Sequence, residues 1–278
     1  MAKIGVFDSG YGGLTILEKI RQTLPEYDYI YLGDNARTPY GTRSFEVIYE
    51  YTWQCVRHLL LEEGCALVIL ACNTASARAL RSIQQRELKQ VWLADGNDTR
   101  RVLGVIRPTV ERVSEYTHSG HVGVLATPGT VRSESYLLEL AKQNPELVVS
   151  QEACPMWVPL IENGEHNGAG ADYFVAKYID AIMQRDPLID TLILGCTHYP
   201  LLREKIEAVL PAGVRLLAQG ELVAEALRDY LHRHPNFEKL LEKGATCRFL
   251  TTESEEKFCQ SASIFLRDKT LSATHIDL

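Results

Sequence analysis

The chain has 278 residues, of which 46% are hydrophobic and 23% charged, and its formal net charge is −7. This composition is typical of a globular protein and excludes wholesale disorder, and the length suffices for two modest domains with separate cores. The negative charge argues against a nucleic-acid-binding surface. We therefore expect a globular protein without a nucleic acid partner.

The first half of the chain alternates strands with helices. Residues 3–7 form a predicted strand, and the glycine-rich stretch 8–13 follows as a turn that opens a helix. A second strand at 29–32, a helix at 45–63 and an apolar strand that ends at Cys72 come next. This order predicts a parallel sheet covered by helices.

The second half repeats the same order of elements. The strand and small polar turn at 121–130 resemble those at the beginning of the chain, and a strand at 191–195 ends at Cys196 just as the earlier one ends at Cys72. A diverged duplication of a roughly 100-residue α/β unit explains this repetition.

The predicted fold is therefore α/β, with two pseudo-symmetric, doubly wound domains and an active site in the cleft between them. A strand at 247–251 and a helix at 253–266 follow the second unit, and we expect them to return to the first. The predicted first domain thus comprises residues 1–104 and 218–278, and the second comprises residues 105–217.

The seven cysteines of the chain predict its redox environment. No signal-peptide pattern precedes the first strand, and no apolar run approaches the roughly 18 residues of a membrane span. We therefore expect a cytoplasmic protein with free thiols and no membrane association. Cys196 and His198 lack further ligands at a recognisable spacing, so no metal site is predicted.

Cys72 and Cys196 are the strongest candidates for catalysis, because each follows a buried strand and precedes a predicted helix. Such strands deliver side chains to the edge where ligands of open α/β sheets bind. A lone cysteine is usually a small buried hydrophobe, but two in matching contexts predict a pair that faces one substrate. The cysteines predicted to be structural are Cys55, Cys65, Cys154, Cys247 and Cys259.

Two titratable side chains stand beside these thiols in the sequence. Asp8 follows the first strand, and His198 lies two residues after Cys196. Asp8 or Ser9 is the expected cap of the first helix, and His198 by itself would be an unremarkable surface imidazole. Their positions at strand ends make Asp8 and His198 candidates to orient the nearer thiol or to relay its proton.

Hydroxyl and amide side chains cluster in the same turns. Such groups suit the carboxylates and the ammonium of an amino acid, although each alone would be ordinary turn chemistry. The candidates are Ser9, Asn73, Thr74, Thr127, Thr130 and Thr197. The loop with Tyr40 and Gly41 is ordinary in composition but offers backbone donors.

These motifs resemble those of the glutamate racemases, the cofactor-independent enzymes of the aspartate/glutamate racemase superfamily that supply D-glutamate for peptidoglycan. The matching stretches cover most of the chain in the family's order. They are 4–10 (IGVFDSG), 31–35 (YLGDN), 39–41 (PYG), 71–76 (ACNTAS), 123–127 (GVLAT) with Gly129 and Thr130, 158–162 (VPLIE) and 194–200 (LGCTHYP).

The resemblance implies that Cys72 and Cys196 are acid/base catalysts on opposite faces of the α-carbon of L- or D-glutamate. It implies that Asp8, His198 and Glu162 support the thiols, although Glu162 carries no signal of its own. The substrate contacts that it implies are Asp8, Ser9, Tyr40, Gly41, Cys72, Asn73, Thr74, Thr127, Thr130, Cys196, Thr197 and His198. It also implies a homodimer and a reaction without a cofactor.

The chain departs from the family pattern in three places. The connection 78–103, which contains Asn97, is longer than usual, and residues 107–109 replace a shorter Pro-Gly turn. Residues 218–220 read Ala-Gln-Gly in place of a common Asp-Ser-Gly or Asp-Gln-Gly. None of these departures removes a predicted catalytic residue.

Two alternatives stay open at the level of the sequence. An aspartate racemase of the same fold would share both thiols, but the aspartate enzymes that resemble this chain typically carry Glu at the position of His198. A non-catalytic amino-acid-binding module would use the same cleft and hydroxyls. The paired thiols weigh against such a module, because binding requires no nucleophile.

Overall fold

The computed structural model describes residues 2–96, 98–266 and 271–278, so Asn97 of the long connection lies outside the described residues. The strands are β1 (Ile4–Asp8), β2 (Tyr29–Gly33), β3 (Leu67–Leu70), β4 (Arg101–Gly104), β5 (His121–Ala126), β6 (Val148–Ala153), β7 (Thr191–Gly195), β8 (Arg215–Leu217), β9 (Cys247–Thr251) and β10 (Thr274–His275).

Helices connect these strands on both faces of the sheets. The α-helices are α1 (Leu14–Thr23), α2 (Phe45–Arg57), α3 (Asn73–Arg78), α4 (Leu80–Ser82), α5 (Leu88–Asp95), α6 (Ile106–Arg112), α7 (Pro128–Ser133), α8 (Ser135–Gln143), α9 (Trp157–Glu162), α10 (Ala169–Arg185), α11 (Arg203–Val209), α12 (Gln219–Arg233), α13 (Pro235–Glu238) and α14 (Glu255–Ala262). The π-helices are His58–Glu62 and Ile83–Glu87, and the 3-10 helices are Val113–Glu115, Glu165–Asn167 and Tyr199–Leu202.

The strands of the described residues form two parallel sheets. The first has the order β10-β9-β2-β1-β3-β4 and the second has the order β6-β5-β7-β8. The order β2-β1-β3-β4 of the first repeat is thus the same as that of the second. The predicted α/β fold with two pseudo-symmetric halves is confirmed, and the repeated strand order supports a duplication.

The strands that carry the candidate thiols are apolar because both of their faces are covered. All residues of β3 and of β7 are buried, as expected for central strands of a parallel sheet with helices on both faces. Apart from the buried Thr191 at the start of β7, polar residues appear only after the last strand residue, where the chain turns into Cys72 and Cys196. The burial of the strands therefore fixes where the two thiols emerge.

Two details of the sequence prediction differ from the structure. The predicted helix at 45–63 consists of α2 followed by a π-helical turn. The prediction that Asp8 or Ser9 caps α1 is wrong, because Gly13 is the cap residue and provides no side-chain hydrogen bond. In the part of the chain that the structure describes, none of the helices has the length and apolar character needed to cross a membrane.

Candidate active site

A cavity lies at the carboxyl edges of both sheets. Its lining residues are Ser9, Thr38, Pro39, Tyr40, Gly41, Thr42, Cys72, Asn73, Thr74, Thr127, Pro128, Cys154, Pro155, Val158, Pro159, Cys196, Thr197 and His198. In each repeat the first strand lies between the second and the third, so the turns after β1 and β3, and after β5 and β7, meet at a topological switch point. Ligands of open α/β sheets bind at such points.

Cys72 is positioned by the end of β3 and the start of α3. It is the N-cap residue of α3, and its sulfur accepts a hydrogen bond from the backbone N–H of Ala75 at 3.4 Å. The Ser9 hydroxyl oxygen lies 3.2 Å from the same sulfur. Burial raises the pKa of the Cys72 thiol to about 12, and the charge of Asp8 acts in the same direction. Cys72 is therefore a protonated thiol at neutral pH.

Cys196 lies at the end of β7 beside an imidazole and a carboxylate. Its sulfur is 3.8 Å from Nδ1 of His198, and Nε2 of His198 is 2.9 Å from Oε1 of Glu162. Burial disfavours the imidazolium, but the hydrogen bonds and charges of Cys196 and Glu162 outweigh it and raise the pKa of His198 to about 10. A neighbouring cation of this kind stabilises a thiolate.

Asp8 is a buried carboxylate behind the wall of the cavity. Its Oδ2 accepts a hydrogen bond from the backbone N–H of Gly10 at 2.9 Å, whereas Oδ1 has no hydrogen-bond partner among the described residues. Burial raises the pKa of Asp8, and the opposing charge of His198 is the strongest influence that lowers it. Asp8 is thus coupled to the imidazole of the second repeat as well as to Cys72.

The glycine-rich turn after β1 allows the two repeats to approach closely. A Cβ atom on Gly12 would lie 2.3 Å from Oγ1 of Thr197 and 2.4 Å from Nδ1 of His198, and one on Gly13 would lie 2.5 Å from Cβ of Asp8. A larger residue at either position would displace these groups. Gly12 is therefore required for packing against the turn that follows β7, and Gly13 for packing against Asp8.

Three threonine hydroxyls meet between the repeats. Oγ1 of Thr74 in α3 lies 2.9 Å from Oγ1 of Thr127 and 3.4 Å from Oγ1 of Thr130. Thr127 caps α7, where its hydroxyl oxygen accepts a hydrogen bond from the backbone N–H of Thr130. Because a hydroxyl can both donate and accept, this cluster can turn its donors towards a carboxylate.

The loop with Tyr40 and Gly41 reaches from the first repeat to the second. The carbonyl oxygen of Gly41 accepts a hydrogen bond from the backbone N–H of Gly129 at 2.7 Å. The Tyr40 hydroxyl donates to Asp34, and Nε of Arg37 donates to both oxygens of the same carboxylate at 2.7 and 2.9 Å. Tyr40 therefore lines the cavity while its hydroxyl is engaged inside the protein.

The structure brings most of the predicted site residues to one cavity wall. Asp8, Thr130 and Glu162 lie behind this wall. Thr130 and Glu162 hydrogen-bond to Thr127 and His198 of the wall, and the charge of Asp8 acts on Cys72. Cys154, which we predicted to be structural, is part of the wall. The sequence therefore predicted which residues lie around the cavity, but it did not distinguish the residues that line it from those that support the lining.

Sequence analysis missed two supporting groups. Asp34 and Arg37 hold the Tyr40 loop, and the only signal for them was that Asp34 lies within the matching stretch 31–35. Tyr136 and Gln219 hydrogen-bond to Asn73. The only signal for Gln219 in the sequence was its place within residues 218–220, which depart from the family pattern.

Comparison with known proteins identifies the family. The model of the Asp/Glu/Hydantoin racemase family matches residues 4–227. A glutamate racemase from Dinoroseobacter shibae is 41% identical over 276 residues, which cover 96% of this chain and 96% of that protein. The chain therefore belongs to the Asp/Glu/hydantoin racemase family, and it is an isomerase.

Solved structures agree with this assignment. The crystal structure of a glutamate racemase isoform from Bacillus anthracis has a TM-score of 0.88 and 33% identity, and the match covers 100% of this chain and 98% of that one. The glutamate racemase from Francisella tularensis in complex with D-glutamate has a TM-score of 0.84 and 33% identity, over 99% and 97% of the two chains. The resemblance to the glutamate racemases that the motifs predicted is confirmed.

Proposed function

We propose that the chain interconverts L-glutamate and D-glutamate by direct proton transfer at the α-carbon, without a cofactor. The observation that carries this proposal is the pair of buried thiols, Cys72 and Cys196, which line one cavity from equivalent strand ends of the two repeats. The relatives named glutamate racemase, and the D-glutamate bound in the Francisella tularensis enzyme, support glutamate as the substrate.

Each turnover moves one proton off the α-carbon and one proton onto it. From L-glutamate, the Cys196 thiolate takes the α-proton, so that the Cα–H bond breaks and its electron pair stays on the α-carbon. The Cys72 thiol then donates its proton to the opposite face, and from D-glutamate the two roles are exchanged. The raised pKa of Cys72 supports its role as the proton donor in this direction, and His198 lies beside the sulfur of Cys196.

Asp8 provides a way for Cys72 to change from proton donor to base when substrate binds. Its charge is one cause of the raised pKa of Cys72, and its Oδ1 lacks a donor among the described residues. The ammonium of a substrate in the cavity would act on Asp8 from the other side of the wall, offset part of that charge and lower the pKa of Cys72. Asp8 thus couples occupancy of the site to the acidity of the thiol that must deprotonate D-glutamate.

The remaining polar residues of the wall, together with Thr130 directly behind it, would hold the substrate. The contacts proposed are Ser9, Tyr40, Gly41, Asn73, Thr74, Thr127, Thr130 and Thr197. The carbanion lacks a cofactor to accept its charge, so fixed donors in a site that excludes water must stabilise it. Pro39, Pro128 and Pro155 line the same cavity and support such exclusion of water.

We assign the product to the same pathway as in the resembling family, the supply of D-glutamate for peptidoglycan. Two domains, 1–104 with 218–278 and 105–217, are supported by the membership of β1–β4 with β9 in one sheet and of β5–β8 in the other. A cytoplasmic location agrees with cysteines that are all free. The homodimer, and the lack of nucleic acid and membrane partners, rest on the resemblance and on the composition.

The decisive experiment incubates the purified protein with L-glutamate in deuterated water. Racemisation should place deuterium at the α-carbon of the D-glutamate formed, whereas a binding module would exchange no α-proton and an aspartate racemase would act on L-aspartate instead. Cys72→Ser and Cys196→Ser should each lower racemisation by orders of magnitude, because a serine hydroxyl is a far weaker base than a thiol. Cys259→Ser, in α14, is the matched control and should remain active. Near-normal racemisation by both site variants would refute the assignment.

A further inference from the structure

Gln219 begins α12 and lies behind the cavity wall, with 3% of its surface exposed. Its Oε1 accepts a hydrogen bond from Nδ2 of Asn73 at 2.6 Å. Asn73 lines the cavity and directly follows Cys72 in the chain. A buried amide outside the cavity is thus joined to the residue that starts the helix after a catalytic thiol.

The hydrogen bonds around Gln219 form a closed ring. Nε2 of Gln219 donates to the Tyr136 hydroxyl at 2.8 Å, and that hydroxyl donates to Oδ1 of Asn73 at 2.8 Å. Nε2 also donates to Oγ1 of Thr109 at 3.0 Å and lies 3.2 Å from the carbonyl oxygen of Val105. Since Thr109 donates its own proton to that carbonyl, it can only accept from Gln219.

We propose that Gln219 is a positioning residue that fixes the side-chain amide of Asn73. The directions of the bonds leave one arrangement, because Tyr136 accepts from Gln219 and must donate to Asn73. The amide oxygen and one N–H of Asn73 are then engaged inside the protein. One side-chain N–H and the backbone N–H remain for a ligand. The inference rests on the proposed function and assigns a role that the sequence did not.

The ring also connects the two repeats. Asn73 stands at the start of α3 in the first, whereas Thr109 and Tyr136 belong to α6 and α8 in the second. A buried polar ring whose members are all satisfied is rigid, and loss of one member leaves its partners unsatisfied. The ring therefore fixes the position of the Cys72 turn relative to the opposite side of the cavity.

The test compares Gln219→Met, which keeps the side-chain length and removes every polar contact, with Tyr136→Phe, which removes one hydroxyl. Each should lower kcat/KM by about 10- to 100-fold, because small misplacements of reacting groups have effects of this size. The loss should fall mainly on KM, since Asn73 contacts substrate. Gln84→Met is the matched control: Gln84 is exposed and its Nε2 donates to Val102 O at 2.8 Å, so its loss should leave both constants unchanged.

A double variant separates positioning from general destabilisation. Because both residues belong to one ring, the fold-loss of kcat/KM in Gln219→Met/Tyr136→Phe should be smaller than the product of the fold-losses in the two single variants. Independent effects would multiply. Folded protein with wild-type constants in both single variants would overturn the inference, as would a multiplicative double variant. If Gln219→Met does not fold, Tyr136→Phe alone is the test: a raised KM supports the inference and a wild-type KM overturns it. A wild-type protein that does not racemise glutamate would overturn the proposed function instead.

Discussion

Replacement of Glu162 by glutamine tests whether its charge acts on Cys196 through His198. Glu162→Gln keeps the size and the acceptor oxygen 2.9 Å from Nε2 of His198 but removes the negative charge. A hydrogen bond to a charged group contributes about 1.5–3 kcal/mol and a neutral one about 0.5–1.5 kcal/mol. The difference of about 1–2 kcal/mol corresponds to a fall of about one unit in the pKa of His198.

The sign of the pH effect follows from the raised pKa of His198. Its imidazolium persists below about pH 10, and activity that depends on this cation is lost as the pH rises through that value. In Glu162→Gln the alkaline limb of kcat/KM should therefore move about one unit lower, with less than about a tenfold change at pH 7. The ammonium of the substrate also loses its proton as the pH rises, but it does so identically with every variant. A difference between variants in the position of the alkaline limb therefore reports on the protein alone.

The assay measures initial rates from L-glutamate between pH 6 and pH 10.5, with D-glutamate quantified by chiral chromatography. Glu165→Gln is the matched control, because Glu165 is an exposed carboxylate three residues along the chain. Its profile should coincide with that of the wild type. An alkaline limb that Glu162→Gln leaves in place, or moves to higher pH, would refute the proposed link between the carboxylate and the imidazolium.

The remaining predictions concern the two thiols' neighbours and the contact between the repeats. Asp8→Asn should raise the deuterium isotope effect mainly from D-glutamate and His198→Asn mainly from L-glutamate, while kcat/KM falls equally in both directions by the Haldane relation. Identical isotope effects for both variants would show that these residues only shape the pocket. Gly129→Ala should raise KM about tenfold, because its Cβ would lie 2.8 Å from the carbonyl oxygen of Gly41 and displace that loop. Gly170→Ala, whose Cβ would meet only an ordinary contact at 3.9 Å, is the control, and an equal KM in both variants would contradict the prediction.

The parts of the fold that the sequence predicted are those with a local signal. The buried runs before Cys72 and Cys196 are continuous and end in polar residues, so both strand ends could be located. The cap of α1 could not, because the turn there is shaped by the close approach of Gly12 to Thr197 and His198. That contact joins distant parts of the chain.

The supporting residues of the site escaped sequence analysis for the same reason. Glu162 entered only through the family resemblance, since its contact with His198 crosses from α9 to the turn after β7. Gln219 and Asn73 are 146 residues apart, and no spacing or periodicity records such a pair. Residues that support the site through contacts with distant parts of the chain, and that do not lie at a strand end, can be identified only from the tertiary structure.

The position of β9 has a consequence for the synthesis of the protein. β9 pairs with β2 in the first sheet, although the chain completes the whole second sheet before β9 is made. At about 5–20 residues per second, the edge of β2 stays open for roughly 10–40 seconds on the ribosome. An unpaired strand edge is a template for pairing with other chains. The nascent protein therefore passes through a stage in which the second sheet can be complete while β2 of the first sheet still lacks the strand that covers its edge.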